Sequence, residues 1–132
     1  MYVKLNPLLP PEQEALVTAC IGVGMAVHRE LGPGFKESIY QRAYALELDS
    51  RGMAFESEKR IDVVYRSWRI PGQRIDLIVG SVVLVEVKAV ARLNSLHEAQ
   101  IRSYLKTTGQ RVGLLMNFNS AVLKDGLKRV VL

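Results

Sequence analysis

Asp76, Glu86 and Lys88 stand inside RIDLIVGSVVLVEVKAV, residues 74–90, where almost every other residue is a branched aliphatic. These three charged types are among the least often buried, and an isolated buried charge costs several kcal/mol. One such charge reads as a frayed strand end touching water; three in one apolar segment point to a shared task. Two carboxylates hold Mg²⁺ or Mn²⁺ as hard oxygen ligands and leave coordination positions for water and phosphate. The ion acidifies its water and stabilises charge on the phosphate. A lysine beside it orients or deprotonates the attacking water, or stabilises the developing charge. The chemistry expected is hydrolysis of a phosphodiester. With the Asp-to-Glu gap left free over several lengths, a pattern like Asp-x9-Glu-x-Lys arises by chance in roughly one such chain in five when each charged type is about 6% of residues. Its placement on adjacent apolar strands therefore carries the weight.

Placement is a question of parity. Glu86 and Lys88 are two apart and share one strand face. A two-residue loop at Gly80-Ser81 would set Val79 opposite Val82, and Asp76 would oppose Val85 and project to the other side. A three-residue loop, Gly80–Val82, or a bulge sets Val79 opposite Val83. Asp76 then lies across from Glu86, with Cβ atoms about 4.5–5.5 Å apart. A shared cation site thus predicts an odd-length connection or a bulge.

The surrounding elements must hold that hairpin. Residues 1–9 read as an extended arm. Pro10 and Pro11, followed by Glu12 and Glu14, open a helix, and Leu16, Cys20, Val23, Val27 and Leu31 recur at helical spacing until LGPG stops it. A second helix is expected over about Lys36–Arg51, with Ile39, Ala43, Ala45 and Leu46 as its apolar positions and Gly52 at its end. MAFESEKR and IDVVYR read as two short strands, and IPGQ (70–73) as a turn or loop entry. Arg74–Val79 and Val82–Ala89 are the strongest strands. Ser95-Leu96-His97-Glu98 has capping-box spacing and opens a helix ending near Thr108-Gly109. Val112–Phe118 reads as a buried strand, and Asp125-Gly126 as a hairpin turn. The order predicts a sheet flanked by helices, of α/β or α+β type.

The chain has 132 residues, read as a single domain over 1–132. Its one cysteine, Cys20, excludes an internal disulfide framework and suits a cytoplasmic protein; in an apolar run it reads as a small core residue. No signal-peptide pattern opens the chain, and Ala15–Val27 is too short to span a bilayer, so no membrane is expected. The net charge of +5 admits nucleic acid as partner without requiring it. Arg92, Arg102 and Lys106 flank the helix after Ser95 and are candidates for backbone contacts, with a solvated surface as an equal alternative. Trp68, between Arg66 and Arg69, reads as a stacking and phosphate contact or as a half-buried aromatic. Asp62 reads as a surface strand residue. His28 and His97 each admit a structural as well as a site role.

The hairpin with Asp76 and Glu86-x-Lys88, followed by a helix and a further strand, resembles the PD-(D/E)xK nuclease superfamily, with Ile75-Asp76 in place of Pro-Asp. Gln100 and Tyr104 resemble the Gln-x-x-x-Tyr motif of its RecB-like members. HRELGPGFKESIYQRAYALEL resembles the signature of the GxxExxY family, through Gly34, Glu37 and Tyr40, and the likeness extends over roughly residues 12–131. It implies a restriction-endonuclease-like α/β core, a mixed central sheet flanked by helices. It implies a nuclease using Mg²⁺ or Mn²⁺, on DNA ahead of RNA, with nucleic acid as its partner. Asp76, Glu86 and Glu37 would be the metal ligands, and these three with Lys88 the catalytic set. Gln100, Tyr104 and Tyr40 would be accessory, with Arg102 and Lys106 as substrate contacts. From the residues alone, Glu37 is a first-turn helix carboxylate. The alternative reading is a non-catalytic nucleic-acid-binding or regulatory module on the same scaffold. With so few residues outside the core, a homo-oligomer or a larger complex is also compatible.

Overall fold

The computed structural model describes residues 9–132; most of the extended arm expected at 1–9 lies outside the described residues. The elements run α1 (Pro11–Leu31), α2 (Glu37–Ser50), β1 (Phe55–Tyr65), β2 (Trp68–Val79), β3 (Val83–Lys88), α3 (Ser95–Thr108), β4 (Val112–Asn117) and β5 (Leu127–Val131). The five strands form one sheet in chain order. Only β3 and β4 pair in parallel; α3 supplies the crossover such a pair needs. The architecture is the expected mixed sheet flanked by helices.

Strand alternation sorts the core into two layers. Val83, Val85 and Val87 pack with Val17, Cys20, Tyr40, Tyr44 and Leu48 of α1 and α2. Leu84 packs with Ile101, Tyr104 and Leu105 of α3 and Leu115 of β4. Because β3 is covered on both faces and paired on both edges, Val83–Val87 are all buried. Among the described residues no helix is long and apolar enough to cross a membrane.

Four local expectations need correction. The inward face of α2 is Tyr40, Tyr44, Ala45 and Leu48, while Ile39 and Leu46 face solvent: two tyrosines supply the apolar body that a hydropathy reading assigns to aliphatics. MAFESEKR and IDVVYR belong to one strand, β1, and IPGQ lies inside β2; the turn between them is Arg66-Ser67. Pro71 and Gly72 fit because Ile61 faces Gln73 while Val63 faces Ile70, a bulge that leaves them out of register. The cap of α3 is Asn94, one residue before Ser95, and its side chain accepts from the backbone N–H of Leu96 and His97. The last connection is a 3-10 turn, Leu123–Gly126, in place of a two-residue hairpin turn.

The β2–β3 turn follows the parity argument. Val79 pairs with Val83, so three residues connect the strands. Gly80 and Ser81 both have φ of 58°, the Val82 N–H closes the turn on the Val79 carbonyl, and Val82 is the extra residue. A side chain on Gly80 would also come within 2.8 Å of Leu16 Cδ2.

Candidate active site

The β2–β3 ladder runs through Val79–Val83, Ile78–Leu84 and Leu77–Val85, then stops. Asp76 and Glu86 come next. In place of backbone pairing, each strand end is held by the other's carboxylate. The Asp76 N–H donates to Glu86 Oε1 at 3.0 Å, and the Val87 N–H donates to Asp76 Oδ2 at 3.0 Å. Alternation also breaks here: Leu77 packs toward α1 and α2, whereas Ile75 joins the α3 layer. On the neighbouring strand Glu58, flanked by the Ser57–Leu77 and Lys59–Ile75 pairs, has a left-handed φ of 53°. Both carboxylates line one open cleft of about 560 Å³ together with Lys88, Gln100 and Tyr104.

Asp76 and Glu86 are 8% and 3% exposed, so water screens them poorly. Burial, then the charge of Asp76, pushes the Glu86 carboxyl up to about 8, against the pull of the Asp76 N–H and of Lys88. Burial also raises Asp76, against the Val87 N–H, and the Glu37 charge raises it further. Two close carboxylates in a dry site resist ionising together unless a cation joins them. Among the described residues, Asp76 Oδ1 and Glu86 Oε2 accept no hydrogen bond. A pair of hard oxygens at the wall of an open cleft is a donor set that fits Mg²⁺ or Mn²⁺, which keep several waters and need few protein ligands.

Glu37 lines the same cleft from the first turn of α2. Among the described residues, however, no three His, Cys, Asp or Glu side chains come together as a metal cage. The structure therefore brings Glu37 to the rim without joining it to Asp76 and Glu86 as a third ligand. Its exposed place at a helix N-terminus, where the macrodipole favours an anion, accounts for that position.

Lys88 points its ammonium at an amide. Nζ donates to Gln100 Oε1 at 2.9 Å, and Gln100 Nε2 donates to the Tyr104 hydroxyl at 3.1 Å. Gln100 and Tyr104 are one helical turn apart on α3 and so share a face. Burial, then the Glu86 charge, raises Tyr104, so its hydroxyl keeps its proton and can donate. The loop that brings α3 to this position hangs on Asn117, a residue sequence reasoning missed. Buried at the end of β4, Asn117 accepts from the Val90 N–H at 3.0 Å and donates to the Val90 carbonyl at 2.9 Å. A lone asparagine closing an apolar strand was the available signal.

The remaining cleft wall comes from the β1–β2 hairpin, through Arg60, Asp62, Gln73 and Arg74. Asp62 is the exposed strand residue expected and also lines this cleft, beside two arginines. The register sets Arg60 directly opposite Arg74.

Other candidates lie elsewhere. Tyr40 is fully buried and stacked on Phe118, and its hydroxyl donates to the Gly32 carbonyl at 2.6 Å and accepts from the Phe35 N–H at 3.0 Å. With both roles used internally it does not line the cleft, so any accessory role it has is exercised through the Gly32–Phe35 loop. Arg102 and Lys106 are exposed and do not line this cleft. His28 bonds the Ser120 carbonyl at 2.8 Å, and His97 Nδ1 accepts from the Asn94 N–H at 3.1 Å; both are structural. Burial pushes the Cys20 thiol up to about 11, so it is no nucleophile at neutral pH.

Comparison with known proteins sharpens this. Searches of curated proteins and of solved structures return no match. A family model, that of the PD-(D/E)XK nuclease superfamily, matches residues 14–130. Members of that superfamily are generally nucleases and typically use divalent metals such as Mg²⁺. The match runs from within α1 to within β5 and takes in the whole cleft: the chain belongs to the PD-(D/E)XK nuclease superfamily.

Proposed function

We propose that this protein is a catalytically active nuclease that hydrolyses phosphodiester bonds with Mg²⁺ or Mn²⁺, acting on DNA ahead of RNA. The observation that carries the reading is the Asp76–Glu86 pair, two buried carboxylates lining one cleft with Lys88 beside them. The ion, held by Asp76 and Glu86, would acidify a bound water and offset charge on the phosphate. Lys88 makes no ion pair with either carboxylate among the described residues. Its charge remains available to the attacked phosphate, while the Gln100 amide fixes its direction. Arg60 and Arg74, facing each other across the hairpin, are an unfavourable pair that an incoming phosphate would relieve. Arg74 is also 3.5 Å from Glu58. Glu37, lining the same cleft from its rim, would act on water there.

The GxxExxY assignment acquires a mechanical sense on this reading. Gly34 has φ of 110°, a conformation costly for other residues. The buried Tyr40 hydroxyl ties the loop backbone at Gly32 and Phe35. Between them, Glu37 starts α2 at the cleft. A cytoplasmic setting is part of the proposal, supported by the unpaired buried Cys20.

The test is cleavage of plasmid, single-stranded DNA and RNA with Mg²⁺ or Mn²⁺. Glu86→Ala with Lys88→Ala should reduce cleavage by roughly 10³-fold or more. Activity that survives the double substitution sinks the assignment. Tight, metal-independent binding without cleavage selects the non-catalytic module.

A further inference from the structure

Beyond the cleft, β1 and β2 continue as a two-stranded arm. Pairing of β2 with β3 is confined to Leu77–Val79, whereas its pairing with β1 extends to the Tyr65–Trp68 pair at the tip. All seven residues from Trp68 to Arg74 are exposed. Two-stranded hairpins are marginal by themselves in water, and this one leaves Val64, Tyr65, Trp68 and Ile70 exposed. At its end Tyr65 is 55% exposed and Trp68 60%. Their rings stack at 6.1 Å and 19°, and the Arg66 guanidinium lies 5.4 Å from the Tyr65 ring centre. Residues 60–74 hold Arg60, Arg66, Arg69 and Arg74 against the single acid Asp62, a net +3 where the whole chain has +5. The base of the arm is the wall of the carboxylate cleft.

We infer that this arm binds an unpaired nucleic-acid strand, with a base stacked on Trp68 and the backbone led along the arginines into the Asp76–Glu86 cleft. The inference rests on the nuclease reading for its direction and adds to it the substrate class. Exposed aromatic rings joined to a basic track are how sequence-tolerant single-strand binding is built. A base within a duplex is already stacked and cannot cover the Trp68 face. A second copy of the chain would bring one arginine-rich arm against another, which charge repulsion opposes. From Trp68 to Arg74 the strand covers roughly 20 Å at about 3.3 Å per residue, so more than one nucleotide separates the stacking contact from the cleft.

Trp68 is the only tryptophan in the chain, so its fluorescence reports this contact directly. Oligo-dT, oligo-rU and a blunt duplex are titrated into the intact protein in buffer free of divalent metal, where cleavage plays no part. The single strands should quench the emission and bind better than the duplex; the two sugars distinguish DNA from RNA. Trp68→Ala and Tyr65→Ala should each weaken single-strand binding about ten-fold, as followed by anisotropy of a labelled strand, with Trp68→Phe retaining most of it. Unchanged emission together with unchanged affinity in Trp68→Ala overturns the inference. So does equal binding of the duplex, or a dimer at sedimentation equilibrium that Trp68→Ala dissociates. Quenching without cleavage on adding Mg²⁺ or Mn²⁺ would defeat the catalytic reading and leave the arm standing. Cleavage indifferent to Trp68→Ala, without quenching, would do the reverse.

Discussion

Along β2, residues Trp68–Arg74 are all exposed and Ile75–Val79 all buried. The inner half is covered by helices on both faces, and its Leu77–Val79 are paired on both edges; the outer half is paired only to β1. The candidate site lies at the step between them. Asp76 is far enough inward to lose its water and near enough to the boundary to face an open cleft. The inner half supplies the low polarity that raises both carboxylates above their ordinary range. The outer half supplies Arg69 and Arg74, both exposed to water. A single strand thus joins a core function to a surface function, and the contrast can be tested at each end.

The largest contrast expected is in stability. Leu77→Ala, in the inner half with no exposure, should cost about 2–5 kcal/mol. Ile70→Ala, in the outer half and 49% exposed, should stay within about 0.5 kcal/mol. Urea unfolding measures both, and similar losses at the two positions would show that the arm is as tightly packed as the core.

A second effect tests the electrostatics of the boundary. The Glu86 carboxyl titrates at about 8 in the folded chain, above the ordinary 4.5. A raised acid stabilises the fold while it keeps its proton, so that contribution is whole below about 4.5 and lost as pH climbs to about 8. The metal-free protein should lose roughly 4 °C or more of Tm between those limits. Mn²⁺ should restore it at the alkaline end, with release of protons on binding, and Glu86→Gln should flatten the profile. A Tm that rises with pH in the metal-free protein would contradict the buried-pair description.

The smallest effect concerns Lys88. If the Gln100 amide only orients its ammonium, Gln100→Ala should lower kcat about ten-fold, the lower end expected for a group that positions another, and leave KM nearly unchanged. A rise in KM with kcat preserved would assign Gln100 to substrate binding.

What the amino-acid sequence made legible follows the same divide. In the inner half, the requirement that Asp76 and Glu86 share a face predicted an odd-length connection, and the Val79–Val83 pair has it, because burial constrains both side-chain direction and register. In the outer half that constraint vanishes. Trp68–Arg74 of β2 are exposed on both faces and show no alternation, so Pro71-Gly72 reads as a loop; β1 has only Ile61 and Val63 half-buried in its outer part, and the chain reads as two strands broken after Arg60. Arg60 and Arg74 entered the site only through cross-strand pairing. The Asn94 cap was hidden for another reason: Ser95 and Glu98 satisfy the same pattern one residue later. Asn117 escaped because its use depends on Val90, 27 residues away in sequence.

The three-residue turn at Gly80–Val82 has a consequence for how this protein can diverge. Losing or gaining one residue there would rotate Asp76 to the opposite side of the sheet while leaving every apolar residue available for packing. Such a chain could keep its fold and lose the Asp76–Glu86 pairing. Insertions and deletions in this hairpin are therefore neutral for the site only in pairs, or when a bulge absorbs the odd residue. Length parity, more than residue identity, is the heritable property the turn must preserve.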